Sequence, residues 1–326
     1  TKSWTLLQPD VINIVETIDG FNGFQTSCNG VTDGRIQIAI SGGTQFVAGV
    51  HSDNFNIAWS VKNINNPGGP DLTGANLAAT GLVVGNKIID QPNLGPGIYK
   101  VVVIDANGCT DTETYTINEP DALTETNTVS LINGFNITCS GGNDGTISVI
   151  PAGGTGAGTY TYTWTESAGA SGTAVGDNGI QTGLTAGTYD LRITDNNGCF
   201  IDRQFILTEP TGLNFNAVNV KKYLQFGAGA ANEVNISCNG LNDGEIDISN
   251  ITGGVKRQPS NEYQYTWTVK STIAGPNLTG AALIATGLDI TVDTVKIQTG
   301  LSAGIYTVIV TDRSGVCNIT RTWTLL

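Results

Sequence analysis

The sequence predicts an all-β chain built as three tandem β-sandwich domains arranged end to end. Three observations carry that prediction. A motif of cysteine, Asp-Gly and alternating strand occurs three times with one internal spacing: Cys28-Asn-Gly-Val-Thr-Asp33-Gly34-Arg-Ile36-Gln-Ile38, Cys139-Ser-Gly-Gly-Asn-Asp144-Gly145-Thr-Ile147-Ser-Val149 and Cys238-Asn-Gly-Leu-Asn-Asp243-Gly244-Glu-Ile246-Asp-Ile248. A closing hairpin also recurs three times: Gly95-Pro-Gly-Ile-Tyr99 to Asp105-Ala-Asn-Gly-Cys109, Ala186-Gly-Thr-Tyr189 to Asp195-Asn-Asn-Gly-Cys199, and Ala303-Gly-Ile-Tyr306 to Asp312-Arg-Ser-Gly-Val-Cys317. Finally, only 13% of residues are charged, 43 are glycine and none is methionine. That is about half the usual charged share, and it suits a turn-rich β protein rather than a helical one.

Within each unit the elements follow in one order. A first strand precedes the cysteine, as between Leu123 and Thr138. The Asp-Gly pair reads as a tight turn into the second strand. Two glycines follow that strand: Gly42-Gly43, Gly153-Gly154 and Gly253-Gly254. A third strand runs to a tryptophan: Phe55 to Trp59, Tyr160 to Trp164, Tyr263 to Trp267. Trp59, Trp164 and Trp267 read as core anchors, as do Tyr99, Tyr189 and Tyr306. A variable segment comes next, long in the first and third units, where 69–82 and 275–288 match closely. About seven short strands per unit indicate an immunoglobulin-like sandwich, and no segment carries a helical period.

Boundaries fall at Glu119-Pro120 and Glu209-Pro210, because proline after a last strand stops the ladder. The domains are 10–120, 121–210 and 211–326. Residues 1–9 read as the last strand of a preceding domain: Trp4-Thr-Leu-Leu7 repeats Trp323-Thr-Leu-Leu326. Export and anchoring signals are expected outside this stretch.

The combined motifs C-x-G-x-x-D-G-x-I, G-G…W and A-G-x-Y…D-x-N-G-C resemble the SprB-type repeats of Bacteroidota gliding-motility adhesins. The resemblance covers all three units. Gly95-Pro-Gly in the first, and one additional residue before Cys317 in the third, depart from it as turn variations. It implies long cell-surface filaments exported by the type IX system and carried by the gliding motor, attached to the outer membrane through other regions.

Six cysteines fall two per unit, which reads as structural disulfides in an oxidising compartment; the plainer alternative is buried thiols. In an immunoglobulin-like strand order the two cysteines of one unit lie at opposite ends, roughly 20 Å apart at ~3.3 Å per residue. A disulfide needs Cα atoms within about 7 Å. End-to-end stacking would instead set Cys28 beside Cys199 and Cys139 beside Cys317, leaving Cys109 and Cys238 without partners in this chain. Pairing inside each unit (28–109, 139–199, 238–317) stays open under a different strand arrangement.

Little else carries chemistry. The net charge of −13 argues against nucleic acid. No apolar run is long enough to insert in a membrane. His51 is the sole histidine and sits in a polar loop, so a catalytic relay and a zinc site both lack parts. No catalytic residues, no cofactor and no metal are expected, with Asp33, Asp144 and Asp243 as weak calcium candidates beside Asp105, Asp195 and Asp312. Asp293-Thr294-Val295 resembles the O-glycosylation signal of Bacteroidota, at Thr294. The expected role is a structural stalk whose partners are neighbouring repeats, with surface polysaccharide as a possible ligand. The alternative is a carbohydrate-binding or spacer array of a secreted polysaccharide-degrading enzyme, disfavoured by variable segments nearly free of aromatics.

Overall fold

A computed structural model describes residues 2–44, 55–85, 87–156, 158–167, 178–224, 233–260, 262–271 and 275–326. In the first repeat the elements are β1 (Asn13–Ile18), β2 (Gly34–Ser41), β3 (Asn56–Lys62), α1 (Gly74–Ala78), β4 (Asp90–Leu94), β5 (Gly97–Ile104) and β6 (Thr110–Ile117). The second has β7 (Thr124–Val129), β8 (Gly145–Ala152), β9 (Thr161–Ser167), β10 (Ile180–Leu184), β11 (Gly187–Thr194) and β12 (Phe200–Leu207). The third has β13 (Asn214–Val220), β14 (Tyr223–Leu224), β15 (Glu233–Val234), β16 (Gly244–Thr252), β17 (Gln264–Lys270), α2 (Gly280–Ile284), β18 (Ile297–Leu301), β19 (Gly304–Thr311) and β20 (Asn318–Leu325).

Each sequence repeat contributes two three-stranded sheets in one pattern. The first repeat gives β1-β2-β4 and β3-β5-β6; the second gives β7-β8-β10 and β9-β11-β12; the third gives β13-β16-β18 and β17-β19-β20. Strands one, two and four on one sheet, with three, five and six on the other, is the ABE/CFG arrangement of an immunoglobulin-like sandwich. The described strands number six per sandwich rather than seven. In the first and third repeats the stretch before the fourth strand holds a five-residue helix, α1 or α2. A helix that short is too brief to show a period in sequence. Leu72, Leu77 and Leu82 place it against the first core, as Leu278, Leu283 and Leu288 do in the third.

The cores follow the period-two alternation of the strands. Ile36 and Ile38 on β2, and Tyr99, Val101 and Val103 on β5, are buried; their counterparts on β16 and β19 are Ile246, Ile248, Tyr306, Val308 and Val310. The tryptophans lie mid-strand rather than at strand ends. Trp59 and Trp267 are buried, and their indole N–H groups donate to Ile88 O and Val295 O, both at 2.8 Å. Trp164 is only half-buried, a correction to its reading as a core anchor. Its repeat lacks the long segment that, in the first and third, lays leucines over the core.

The Asp-Gly pairs are not tight turns. Gly34, Gly145 and Gly244 open β2, β8 and β16 without a positive φ. They are glycine because the chain packs tightly there. A Cβ on Gly145 would lie 2.6 Å from Ile137 Cδ1, 2.7 Å from Leu207 Cδ2 and 2.9 Å from Leu184 O. The paired glycines do need a left-handed backbone: Gly153 and Gly154 have φ of 77° and 65°. Residues 2–12 form no strand, because the described residues offer that segment no ladder partner.

By compactness the chain divides into two units, 1–127 with 149–163 and 191–203, and 128–148 with 164–190 and 204–326.

Candidate functional site at the cysteine loops

In the first unit, residues 25–33 form the cysteine loop. The Gln25 and Thr26 amides donate to Asn118 O at 3.0 and 3.2 Å, tying the loop to the end of β6. Asp33 closes it from within: Ser27 N donates to Oδ1 at 3.0 Å, and the Ser27 hydroxyl donates to Oδ2. The linker is drawn onto the same loop. Glu119 Oε2 accepts from Gly30 N at 2.6 Å, and Asn29 Nδ2 donates to Pro120 O at 3.0 Å. The Glu-Pro joint is therefore a clasp as well as a strand stop.

Opposite lies the hairpin after β11, organised by the buried Asp195. Its Oδ1 accepts from Asn197 N and Cys199 N, both at 2.9 Å. Its Oδ2 accepts from Thr155 N at 2.8 Å and the Thr155 hydroxyl at 3.1 Å. One carboxylate thus fixes the cysteine hairpin to the turn after β8. Cys199 is bonded to Cys28, with Cα atoms 5.8 Å apart. Asn197 Nδ2 donates to Ser27 O at 2.8 Å, and Asn22 Nδ2 donates to Asn197 Oδ1 at 2.5 Å.

The second unit repeats the construction with other residues. Asp144 accepts from Thr138 N at 3.0 Å and from the Thr138 hydroxyl, Thr208 O accepts from the Asn136 and Ile137 amides, and Glu209 Oε2 accepts from Gly141 N at 2.7 Å. Cys139 is bonded to Cys317, with Cα atoms 5.5 Å apart. The residue added before Cys317 moves its amide out of step with the carboxylate, and Ser314 fills the gap. Its hydroxyl donates to Asp312 Oδ1 while accepting from Cys317 N at 3.1 Å.

Of the two connectivities weighed from sequence, the structure contains the one between repeats. The cysteines of one repeat sit at opposite ends of the sandwich, as its strand order requires. Cys109 and Cys238 are exposed and unbonded. The two disulfides close stretches of 171 and 178 residues, lengths for which chain entropy gives ~5 kcal/mol each.

The aspartates offered as calcium ligands have their oxygens engaged by N–H and O–H donors. Among the described residues, no three His, Cys, Asp or Glu side chains converge as metal ligands would. Hydrogen bonds from the Ser237 hydroxyl and amide lower the Asp243 carboxyl below its usual range, against the pull of burial. Asp105 is lowered chiefly by the Thr44 amide. Tyr99, Tyr189 and Tyr306 are wholly buried near the starts of β5, β11 and β19. Their hydroxyls donate to carbonyls four residues back, Gly95 O at 2.8 Å, Thr185 O at 2.9 Å and Ser302 O at 2.9 Å. That is the tyrosine corner of an immunoglobulin-like sandwich. Thr294 is exposed in a turn. His51 lies outside the described residues.

Sequence reasoning missed two junction features. Asn22-Gly23 and Asn133-Gly134 make small hairpins, with Phe21 bridged to Phe24 and Ile132 to Phe135. Asn-Gly is the strongest short hairpin signal, so these were legible. The reach of Glu119 and Glu209 onto the cysteine loops had no local signal.

Solved structures similar to the chain include the Dpr2 Ig1-Ig2 crystal structure in complex with DIP-Theta Ig1-Ig3, at 9% identity over 95% of this chain and 99% of that one, TM-score 0.27. The N-terminal four Ig domains of Dscam1 isoform 6.44 align at 12% identity over 97% and 72%, TM-score 0.21. Domains 4–9 of the surface layer protein SbsC align at 15% over 98% and 48%, TM-score 0.24. The chain matches no curated protein. The SprB repeat model matches residues 135–169 and 230–272, each running from a cysteine loop past the tryptophan of the third strand, and the chain contains a SprB-type repeat region.

Proposed function

We propose that this chain is a stalk segment of a long cell-surface adhesin serving gliding motility and surface attachment. It extends reach and carries tension, and its residues act by folding and cross-linking rather than by transforming a substrate. Neighbouring repeats are its immediate partners; export by the type IX system, anchoring at the outer membrane and coupling to the gliding motor fall to other regions.

One observation carries this reading: the two disulfides interleave. Bonds 28–199 and 139–317 overlap along the chain, so a pull entering at Cys28 and leaving at Cys317 has a covalent shortcut. It crosses one sulfur bridge to Cys199, runs back along 139–199 and crosses the other bridge. That path holds 199 − 139 = 60 residues, against 317 − 28 = 289 along the backbone. At ~3.5 Å per extended residue the oxidised chain stops near 200 Å between those points, and the reduced chain near 1,000 Å. With its sandwiches unfolded, a chain so laced stops at about a fifth of the length an unlaced one reaches between those points.

Single-molecule stretching with and without reductant tests this. Reduction is expected to lengthen the fully unfolded chain by roughly 800 Å. Equal contour lengths in both states would remove the mechanical reading.

A further inference from the structure

Cys109 lies on a hairpin and Cys238 in a loop of the two kinds that the disulfides Cys28–Cys199 and Cys139–Cys317 join. The Cys109 hairpin has the form of the bonded Cys199 hairpin: Asp105 Oδ1 accepts from Asn107 N and Cys109 N at 2.9 and 2.8 Å, and Oδ2 from Thr44 N at 2.9 Å. Asn107 occupies the position of Asn197, whose side chain docks on Ser27 O in the bonded case. The Cys238 loop has the form of the bonded Cys28 and Cys139 loops. Ser237 N and its hydroxyl donate to Asp243, and the Asn235 and Ile236 amides donate to Leu326 O at 3.0 and 3.1 Å, as their counterparts do to Asn118 O and Thr208 O. Both thiols are exposed.

We propose that this hairpin and this loop fit each other, so that a second copy of the chain docks head to tail, with Cys109 of one copy bonded to Cys238 of the other. This rests on the stalk reading and names its partner. The two internal junctions supply the argument for the occupant, because they join the same loop to the same hairpin. They also tolerate hairpins of two lengths, ending at Cys199 and at Cys317. The bond forms by thiol–disulfide exchange with a low-molecular-weight disulfide oxidant. One thiolate attacks it and displaces a thiol. The other thiolate then attacks the mixed disulfide, the new S–S bond forms and a second thiol leaves. Two protein thiols are oxidised and one oxidant disulfide is reduced.

The test uses Cys109→Ser and Cys238→Ser chains in oxidised glutathione, alone and mixed, read by non-reducing electrophoresis and peptide mapping. Head-to-tail docking predicts that the mixture forms a Cys109–Cys238 heterodimer about tenfold over the homodimers of either variant, the ratio given by ~1.4 kcal/mol of preference. Urea should abolish that preference. Homodimers matching the heterodimer, or no heterodimer, would overturn the proposal. The same digests report the Cys28–Cys199 and Cys139–Cys317 peptides. If these persist without the heterodimer, only the docking fails; if they are absent, the stalk reading and the docking fall together.

Discussion

Thr138 and Asp144 close a cysteine loop with one carboxylate: the Thr138 amide donates to Oδ1 at 3.0 Å and its hydroxyl donates to Oδ2. Burial pushes the Asp144 carboxyl up, but the two Thr138 bonds outweigh it and the group titrates below the usual 3.8. A carboxyl depressed in the folded state adds stability above its unfolded pKa and loses it as pH falls through the folded value. The melting temperature should therefore hold from pH 7 to about 4 and fall below it. A chain carrying Asp144→Asn with Asp243→Asn should start lower and show a shallower acid slope. Identical slopes in thermal melts from pH 7 to 3 would count against the loop clamps.

Gly145→Ala inserts a methyl among Ile137, Leu207 and Leu184 O. Overpacking of that kind costs ~1–3 kcal/mol. Gly141 has a positive φ of 73° but open space around it, so Gly141→Ala should cost only the ~1 kcal/mol of backbone strain. Urea unfolding followed by tryptophan emission ranks the two, and a larger effect at Gly141 would contradict the packing account.

The buried tyrosine hydroxyls supply another measurement. Tyr99→Phe removes the bond to Gly95 O and should cost ~1–1.5 kcal/mol. Burial pushes the Tyr99 phenol up to about 12, partly offset by its bond to Thr80. Because the folded value is the higher one, its contribution persists below pH 10 and is lost as pH rises toward 12. Ultraviolet titration of the folded chain should show several phenols ionising late, Tyr115 and Tyr265 with Tyr99, and Tyr99→Phe should lower the late amplitude by one phenol.

Asp195→Ala strips four donors of their shared acceptor, including the Cys199 amide. Hydrogen bonds to a charged group are worth ~1.5–3 kcal/mol. In a glutathione buffer the Cys28–Cys199 bond should become about tenfold easier to reduce, while Cys139–Cys317 keeps its potential. Equal loss at both would mean that Asp195 acts on general stability rather than on the hairpin.

Much of this was legible in the sequence, for reasons tied to particular residues. Period-two runs such as Ile36-Gln-Ile38 and Tyr99-Lys-Val101-Val-Val103 identify strands because one sheet face must be apolar. The opposite-end placement of the two cysteines followed from strand order alone. Trp164 was harder: the leucines packed on the first and third cores come from a segment its repeat lacks, yet the strand pattern around all three tryptophans is the same. The Asp-Gly pairs misled because glycine answers two demands, a left-handed backbone or a close approach, and local sequence does not distinguish them.

By itself the sequence determined the repeat, the all-β class, the alternating core and the pairing of chemistries at each turn, since these depend on neighbours a few residues away. Only the tertiary structure decided that Asp33, Asp144 and Asp243 clamp loops, that Glu119 and Glu209 fold back as clasps, and which sulfur meets which. Those contacts join residues as many as 178 positions apart. No local preference fixes such a distance; it is set by how the packed sheets bring their ends together.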